Sequence, residues 1–170
     1  MADHPSAWRP ADNHQERSPG FQRYNQFGKD VPSYEEILGI RDRLLDAQPK
    51  TVFIACHFSN QGNDLTTLSK VLDHFPNLYV DMSARDYEMG REPRTAARFL
   101  QKYQNRVMFG TDQSISEKMY RAWWRLLETP DEYIPGSNWW RLYGLELPDQ
   151  VLEKLYRGNA LKVLNWASGE

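Results

Sequence analysis

The sequence predicts an α/β fold built around a parallel β-sheet. The main sign is an alternation in which an amphipathic helix precedes a short apolar run about three times along the chain. The apolar runs lie at about residues 51–56, 77–82 and 106–110. Each is apolar on successive residues, as strands buried on both faces of a parallel sheet are. The pattern fits either a doubly wound sheet or a barrel.

The N-terminal part of the chain predicts a loop followed by a capped helix. Residues 1–32 carry several prolines and glycines and show no sustained period, which is typical of an irregular loop segment. Ser33 with Glu36 three residues later forms a capping-box pattern, so the first helix is expected to begin there. Four residues share its apolar face: Ile37, Ile40, Leu44 and Leu45.

Further helices connect and follow the predicted strands. Apolar residues at helical spacing predict three of them, over residues 64–74, 93–103 and 116–128. After Asp112 the strand pattern stops. A loop rich in proline, glycine and tryptophan then runs to Leu147, and residues 148–166 predict a terminal helical pair.

Composition and charge exclude several classes of protein. Of the 170 residues, 40% are hydrophobic and 26% are charged, which indicates a globular domain rather than a disordered chain. The net charge is −2 and the basic residues are dispersed, which argues against nucleic-acid and anionic-membrane partners. The N-terminus lacks the pattern of a signal peptide. The single cysteine, Cys56, fits a structural thiol in a reducing compartment, so we expect a cytoplasmic protein.

Candidate functional residues follow the predicted strands, because active sites of parallel α/β folds lie at the carboxyl ends of the strands. The first run ends in His57 and the third in Gly110-Thr111-Asp112. A histidine and an aspartate at this edge can act as metal ligands or as proton-transfer groups, although a strand-end histidine is also a common structural residue. Arg85, after the second run, either clamps a substrate carboxylate or pairs with a neighbouring acid.

The remaining histidines and the tryptophans give weaker signals. His4 and His14 lie in the N-terminal loop segment, where solvation is the simpler interpretation and a ligand role the alternative. The pairs Trp123-Trp124 and Trp139-Trp140 could stack on bases, but the dispersed positive charge favours core and pocket-wall positions.

Four stretches of the chain carry a family resemblance. They are TVFIACH, PNLYVDMSAR, GREPRTAARFLQKYQNRVMFGTD and GLELPDQVLEKLYRGNALKVL. Together they resemble the C-terminal half of the amidohydrolase-related (amidohydrolase-2) metal-dependent hydrolases, over about residues 33–166. Members of that family are (β/α)8 TIM barrels that hold a divalent metal, usually zinc, by histidines and by an aspartate after the eighth strand.

The resemblance implies a fold and a site for this chain. By position, His57 matches the histidine after the sixth strand and Asp112 the aspartate after the eighth, which makes both candidate catalytic residues and metal ligands. Arg85 is the candidate substrate-binding residue. The family's HxH pair is absent from the sequence, and a full barrel takes about 250 residues. We therefore expect a partial TIM barrel, with residues 33–170 forming its last three or so βα units and the C-terminal helices.

Three functional hypotheses follow. The first is an enzyme of the amidohydrolase superfamily in which a metal-activated water attacks a C–N, C–O or related bond of a small-molecule substrate. The second is a metal-dependent decarboxylase of the same superfamily. The third is a non-catalytic barrel fragment that associates with itself, because an open apolar strand edge favours association. A homo-oligomer is the expected assembly.

Overall fold

The structure is a computed structural model that describes residues 32–135 and 140–164. The chain divides into two compact units, residues 1–40 and 41–170. All but the last residue of the predicted loop segment 1–32 lies outside the described residues. His4 and His14 therefore lie outside them as well.

The first helix, α1, begins where the capping-box pattern predicts. It spans Tyr34–Ala47. The backbone N–H of Glu36 donates to Ser33 Oγ at 3.2 Å, and the backbone N–H of Ser33 donates to Glu36 Oε2 at 2.6 Å. The hydrogen bond from the Ser33 backbone N–H to the carboxylate lowers the pKa of Glu36, because it favours the charged form. On the predicted apolar face, Leu45 is buried, whereas Ile37, Ile40 and Leu44 are about half exposed.

A parallel sheet of three strands lies at the centre of the described chain. The strands are β1 (Phe53–Ala55), β2 (Leu78–Asp81) and β3 (Val107–Met108), with β2 in the middle. Both neighbouring pairs are parallel, which confirms the prediction of adjacent parallel strands. The assignment of these strands to a partial TIM barrel remains a prediction.

The strands are shorter than the apolar runs that predicted them. On the edge of β3 away from β2, the backbone N–H of Phe109 donates to Leu155 O at 2.9 Å. That hydrogen bond joins the end of the strand to the C-terminal helical segment.

Helices flank and follow the sheet. Their bounds are α2 Cys56–Ser59, α3 Leu65–His74, α4 Asp86–Arg91, α5 Pro93–Lys102, α6 Glu117–Glu128, α7 Asp149–Glu153 and α8 Asn159–Val163, with a π-helical turn at Lys154–Gly158 between the last two. Asp64 and Ser116 cap α3 and α6 by accepting backbone N–H groups. Helix α4, six residues long, was not predicted. Within the described ranges, no helix combines the length and apolar character that a membrane span requires.

The core packs around β2 and β3. Val80 and Val107 are fully buried, as are Phe58 and Leu155 on the elements that cover them. A buried polar residue, Asn159, ties the C-terminal segment to the sheet, because its Nδ2 donates to Val107 O at 2.6 Å and to Gln104 O at 2.7 Å. This contact gives a structural reason for the asparagine in the final sequence motif.

Candidate active site

The structure brings His57 and Asp112 together at the carboxyl ends of the strands. His57 lies two residues beyond β1, and Asp112 lies four residues beyond β3. His57 Nε2 and Asp112 Oδ2 are 4.0 Å apart. The side chains are 31% and 63% exposed, so the pair is open to a ligand. The prediction that these residues share one end of the sheet is confirmed.

An unusual backbone turn presents the His57 ring. Three residues of α2, His57, Phe58 and Ser59, and Asn60 after them have left-handed dihedrals, with φ between 50° and 58°, so α2 is a left-handed turn rather than a regular right-handed helix. For residues other than glycine, each such conformation costs about 1–2 kcal/mol, so tertiary contacts must hold the turn. Phe58 supplies one of them, because its ring is fully buried and lies edge-on to Phe99 with centroids 5.5 Å apart.

A second set of contacts fixes the turn from α1. The guanidinium of Arg41 donates through Nη1 to Ser59 Oγ at 2.9 Å and to Gln61 Oε1 at 2.6 Å. Both acceptors belong to buried residues. The left-handed turn is therefore held by a buried ring and by a charge-assisted hydrogen-bond network.

Asp81, the last residue of β2, organises the centre of this edge. Its Oδ1 accepts the backbone N–H of His57 at 2.9 Å and the backbone N–H of Ser83 at 3.0 Å. The carboxylate thus fixes the positions of two neighbouring loops. The sequence signal for this residue is a single acid inside the otherwise apolar run LYVDM, at a strand end where candidate functional residues are expected.

The Asp81 carboxylate also changes the pKa of the Cys56 thiol. A hydrogen bond with Asp81 raises the pKa of Cys56, and desolvation and the negative charges of Asp81 and Asp112 raise it further. The thiol therefore stays protonated and is a poor nucleophile, although the residue is exposed. This supports the interpretation of Cys56 as a structural thiol.

The hydrogen bond on the other side of the imidazole sets its tautomer. His57 Nδ1 lies 2.8 Å from the backbone carbonyl oxygen of Ser83. A carbonyl oxygen can only accept, so Nδ1 carries the hydrogen. In the neutral ring, Nε2 then keeps its lone pair and faces Asp112. A histidine held in this way by a backbone carbonyl is the usual form of a metal-ligating histidine.

Gly110 permits the close approach of the loops after β2 and β3. A Cβ atom on Gly110 would lie 2.5 Å from Ser83 Oγ and 3.4 Å from Asp81 Cγ. The backbone N–H of Ala84 donates to Thr111 O at 3.2 Å and joins the same two loops. Any larger residue at this position of the FGTD motif would clash with Ser83, which explains the glycine. The sequence alone did not show this contact.

The pair is chemically suited to a divalent metal ion. Two ligands at about 2.0–2.2 Å from a tetrahedral zinc lie about 3.4 Å apart, so the 4.0 Å pair would close by roughly half an ångström. An imidazole nitrogen and a carboxylate oxygen are both ordinary zinc ligands. Among the described residues, no group of three or more histidine, cysteine, aspartate or glutamate side chains could hold a metal. His57 and Asp112 thus offer two donors.

The third predicted site residue, Arg85, is engaged elsewhere. Its Nη1 donates to Glu88 Oε1 at 2.7 Å, and the two side chains are 24% and 27% exposed. This is the pairing with a neighbouring acid that the sequence analysis held as the alternative. Binding of a substrate carboxylate by Arg85 stays a prediction.

Comparison with known proteins gives one result. A family model described as Amidohydrolase matches residues 32–166. The match includes both the left-handed turn and the FGTD strand end. Searches of the curated proteins and of the solved structures found no significant match.

Proposed function

The chain belongs to the amidohydrolase family, and from that premise we propose that it is a metal-dependent hydrolase with His57 and Asp112 in its active centre. The proposal includes a partial (β/α)8 barrel, in which β1, β2 and β3 correspond to the sixth, seventh and eighth strands. Members of the amidohydrolase superfamily generally use divalent metals. A nitrogen donor beside a carboxylate favours zinc over magnesium.

The observation that carries this proposal is the fixed tautomer of His57. Because Ser83 O holds the Nδ1 hydrogen, the Nε2 lone pair faces Asp112 Oδ2. The ring cannot turn away without losing that hydrogen bond, and the backbone is held by Asp81. A preorganised nitrogen and a carboxylate at one strand end suit metal binding better than a purely structural role.

The two residues also suit proton transfer. A bound divalent ion would acidify a water molecule and polarise the bond to be hydrolysed. Asp112 would take the proton from the attacking water with the carboxylate oxygen that does not bind the ion, and pass it to the leaving group. His57 would bind the ion through the Nε2 lone pair or, where Nε2 stays free of the ion, accept a proton there. Arg85 would orient a substrate carboxylate after releasing Glu88.

Metal binding by matched variants tests the proposal. The purified protein is titrated with Zn²⁺ by calorimetry, and the same titration is repeated with His57→Ala and with Asp112→Asn. The controls are His74→Ala and Asp46→Asn, which alter an exposed histidine–aspartate pair 3.8 Å apart. We expect both site variants to bind Zn²⁺ more weakly than the wild-type protein, Asp112→Asn most of all, and both controls to keep the wild-type affinity. Equal binding by all variants would contradict the proposal.

A reaction assay separates hydrolysis from the alternative chemistry. Zn²⁺-dependent hydrolysis of p-nitrophenyl acetate that is lost in Asp112→Asn would support the hydrolase. Metal-dependent release of CO2 from aromatic carboxylic acids, without ester or amide hydrolysis, would identify the decarboxylase instead. The substrate in either case is a small molecule.

The single, protonated thiol suits a cytoplasmic location.

As the alternative to the barrel, in which a further strand would cover β1, we propose that the chain forms a homo-oligomer through the β1 edge. β1 is an outer strand of the described sheet, and Val52 and Ile54 beside and within it are 54% and 42% exposed. Exposed apolar residues at an open strand edge favour pairing with a second copy. Sedimentation should show an oligomer that Ile54→Lys dissociates and Ile115→Lys, at a residue that is 84% exposed elsewhere, does not. A monomeric wild-type chain would contradict this assembly.

A further inference from the structure

A separate cavity of about 470 Å³ lies beside helix α6. Its floor is apolar and buried, and includes Met119, Trp123, Leu126 and Leu142. Its rim carries exposed polar residues such as Gln113 and Lys118. The volume is within the range of small-molecule sites, about 300–1,000 Å³, and the combination of an apolar floor with a few polar groups is typical of them.

Two buried polar atoms of the cavity-lining residues have no hydrogen-bond partner in the described chain. They are Asp86 Oδ1 and Trp123 Nε1. Trp123 as a whole is only 2% exposed, so water reaches little of its indole. Buried polar groups in folded proteins nearly always have partners, and leaving one unpaired is unfavourable. An unsatisfied acceptor and an unsatisfied donor on one cavity indicate a ligand that supplies both partners.

The charge around Asp86 favours a cation. Asp86 is the first residue of α4, and Glu88 adds a second negative charge while Arg85 is paired with Glu88. Burial raises the pKa of the Asp86 carboxyl and the charge of Glu88 raises it further, while the backbone N–H groups of Asp86 and Tyr87 and the charge of Arg85 offset only part of this rise. Lys118 is exposed, so water screens its charge at the rim.

We propose that this cavity binds a small organic cation, namely an ammonium or amidinium group on an apolar body. The cationic group donates to Asp86 Oδ1, and the apolar body packs against Met119, Leu126 and Leu142. A ligand that also carries a hydroxyl or carbonyl oxygen would accept the Trp123 indole N–H. The site does not depend on the proposed hydrolase function, since neither His57 nor Asp112 lines the cavity.

NMR of the tryptophan indole groups tests this site with benzylamine as the probe. The chain has six tryptophans, and the indole N–H signal of Trp123 is assigned by its loss in Trp123→Phe. Benzylamine is added up to about 10 mM, which is ten times a dissociation constant of about 1 mM, and benzyl alcohol serves as the neutral ligand of the same shape. The variants are Asp86→Asn and the control Asp149→Asn, which removes an exposed acid from the first turn of α7.

We expect benzylamine to shift the Trp123 signal in a saturable way, and to bind at least tenfold more weakly to Asp86→Asn than to Asp149→Asn. Benzyl alcohol should bind at least tenfold more weakly than benzylamine. A second variant, Ala122→Phe, places a large side chain at the cavity wall and should abolish the shift while the other indole signals stay unchanged. An unshifted Trp123 signal, equal binding by Asp86→Asn, or equal binding of benzyl alcohol would each overturn the proposal.

Discussion

Two histidine–aspartate pairs with almost equal distances between their atoms lie in the described chain, and they differ in how the histidine is held. His57 Nε2 and Asp112 Oδ2 are 4.0 Å apart, and His74 Nε2 and Asp46 Oδ1 are 3.8 Å apart. In the second pair both side chains are about two-thirds exposed, at 67% and 66%. Distance alone therefore does not distinguish a candidate active site from a surface ion pair.

What distinguishes them is how the histidine is held. His74 is the last residue of α3, where a cation is favoured by the helix dipole, and its ring lies edge-on to Phe75. His57 is fixed at its backbone N–H by Asp81 and at Nδ1 by Ser83 O. Preorganisation of this kind is what a metal or proton-transfer site requires, because it presents one defined nitrogen to the ligand.

The largest expected effect is that of Asp112→Asn. The amide keeps the shape of the side chain but cannot carry the negative charge that stabilises a metal ion or take a proton from water. We expect Zn²⁺-dependent turnover to be abolished in Asp112→Asn and unchanged in Asp46→Asn. The measurement is p-nitrophenyl acetate hydrolysis with the metal content of each variant determined. Wild-type activity in Asp112→Asn with metal still bound would remove the distinction between the two pairs.

His57→Ala should have the next largest effect. Loss of one general acid or base lowers turnover by roughly 10²–10⁴-fold, and His74→Ala should leave it unchanged. The same assay measures both variants, with circular dichroism as the control for folding. A similar loss in the two variants would mean that neither histidine has a specific role.

The affinity for Zn²⁺ gives a further comparison of the two histidine–aspartate pairs. Two donors fall short of the three protein ligands usual at a catalytic zinc, so calorimetry should give a dissociation constant weaker than about 1 µM. The affinity of Asp46→Asn should match that of the wild-type protein. A sub-micromolar constant would contradict this prediction and would require ligands beyond His57 and Asp112.

The free energy of unfolding should show how much Asp81 contributes. Asp81 accepts the backbone N–H of His57 in the first pair, and His74 in the second pair is not held in this way. Asp81→Ala leaves the backbone N–H groups of His57 and Ser83 without their acceptor, which should lower the free energy of unfolding by about 2 kcal/mol. Urea denaturation measures the change, and Asp46→Ala is the exposed control. An equal effect of the two substitutions would show that Asp81 contributes little to the site.

Gly110→Ala should give the smallest effect. Its Cβ would approach Ser83 Oγ to 2.5 Å, and a shift of that hydroxyl should lower the free energy of unfolding by about 1 kcal/mol. Gly158→Ala is the matched control, because its Cβ would meet no atom closer than 3.6 Å and the residue is helical. That substitution should be neutral or slightly stabilising. The two urea midpoints should therefore move in opposite directions or by clearly different amounts.

The sequence predicts the parts of this fold that depend on periodicity. The three parallel strands, the capping box at Ser33 and the shared strand end of His57 and Asp112 all follow from apolar spacing and from the common direction of parallel strands. Local patterns carry this information because each concerns a few neighbouring residues and a repeating geometry. Helix α4 was missed because six residues are too few to show a helical period.

The details that make the candidate site were not predictable in the same way. The left-handed turn at His57–Asn60 contains no glycine, so its backbone dihedrals follow from the burial of Phe58 and the hydrogen bonds of Arg41. The role of Asp81 depends on which backbone N–H groups reach its carboxylate across two loops. Such contacts join residues far apart in sequence, and no single segment encodes them.

The most direct test of the central claim is a long-range ¹H–¹⁵N NMR spectrum of the histidine rings, recorded with and without Zn²⁺. We predict that the His57 ring is protonated at Nδ1, that its Nε2 signal has the shift of an unprotonated nitrogen, and that Zn²⁺ moves this signal. The His74 ring should be unaffected by Zn²⁺ in the same spectra. A His57 ring protonated at Nε2 in its neutral form, or an Nε2 signal that Zn²⁺ leaves unchanged, would contradict the account.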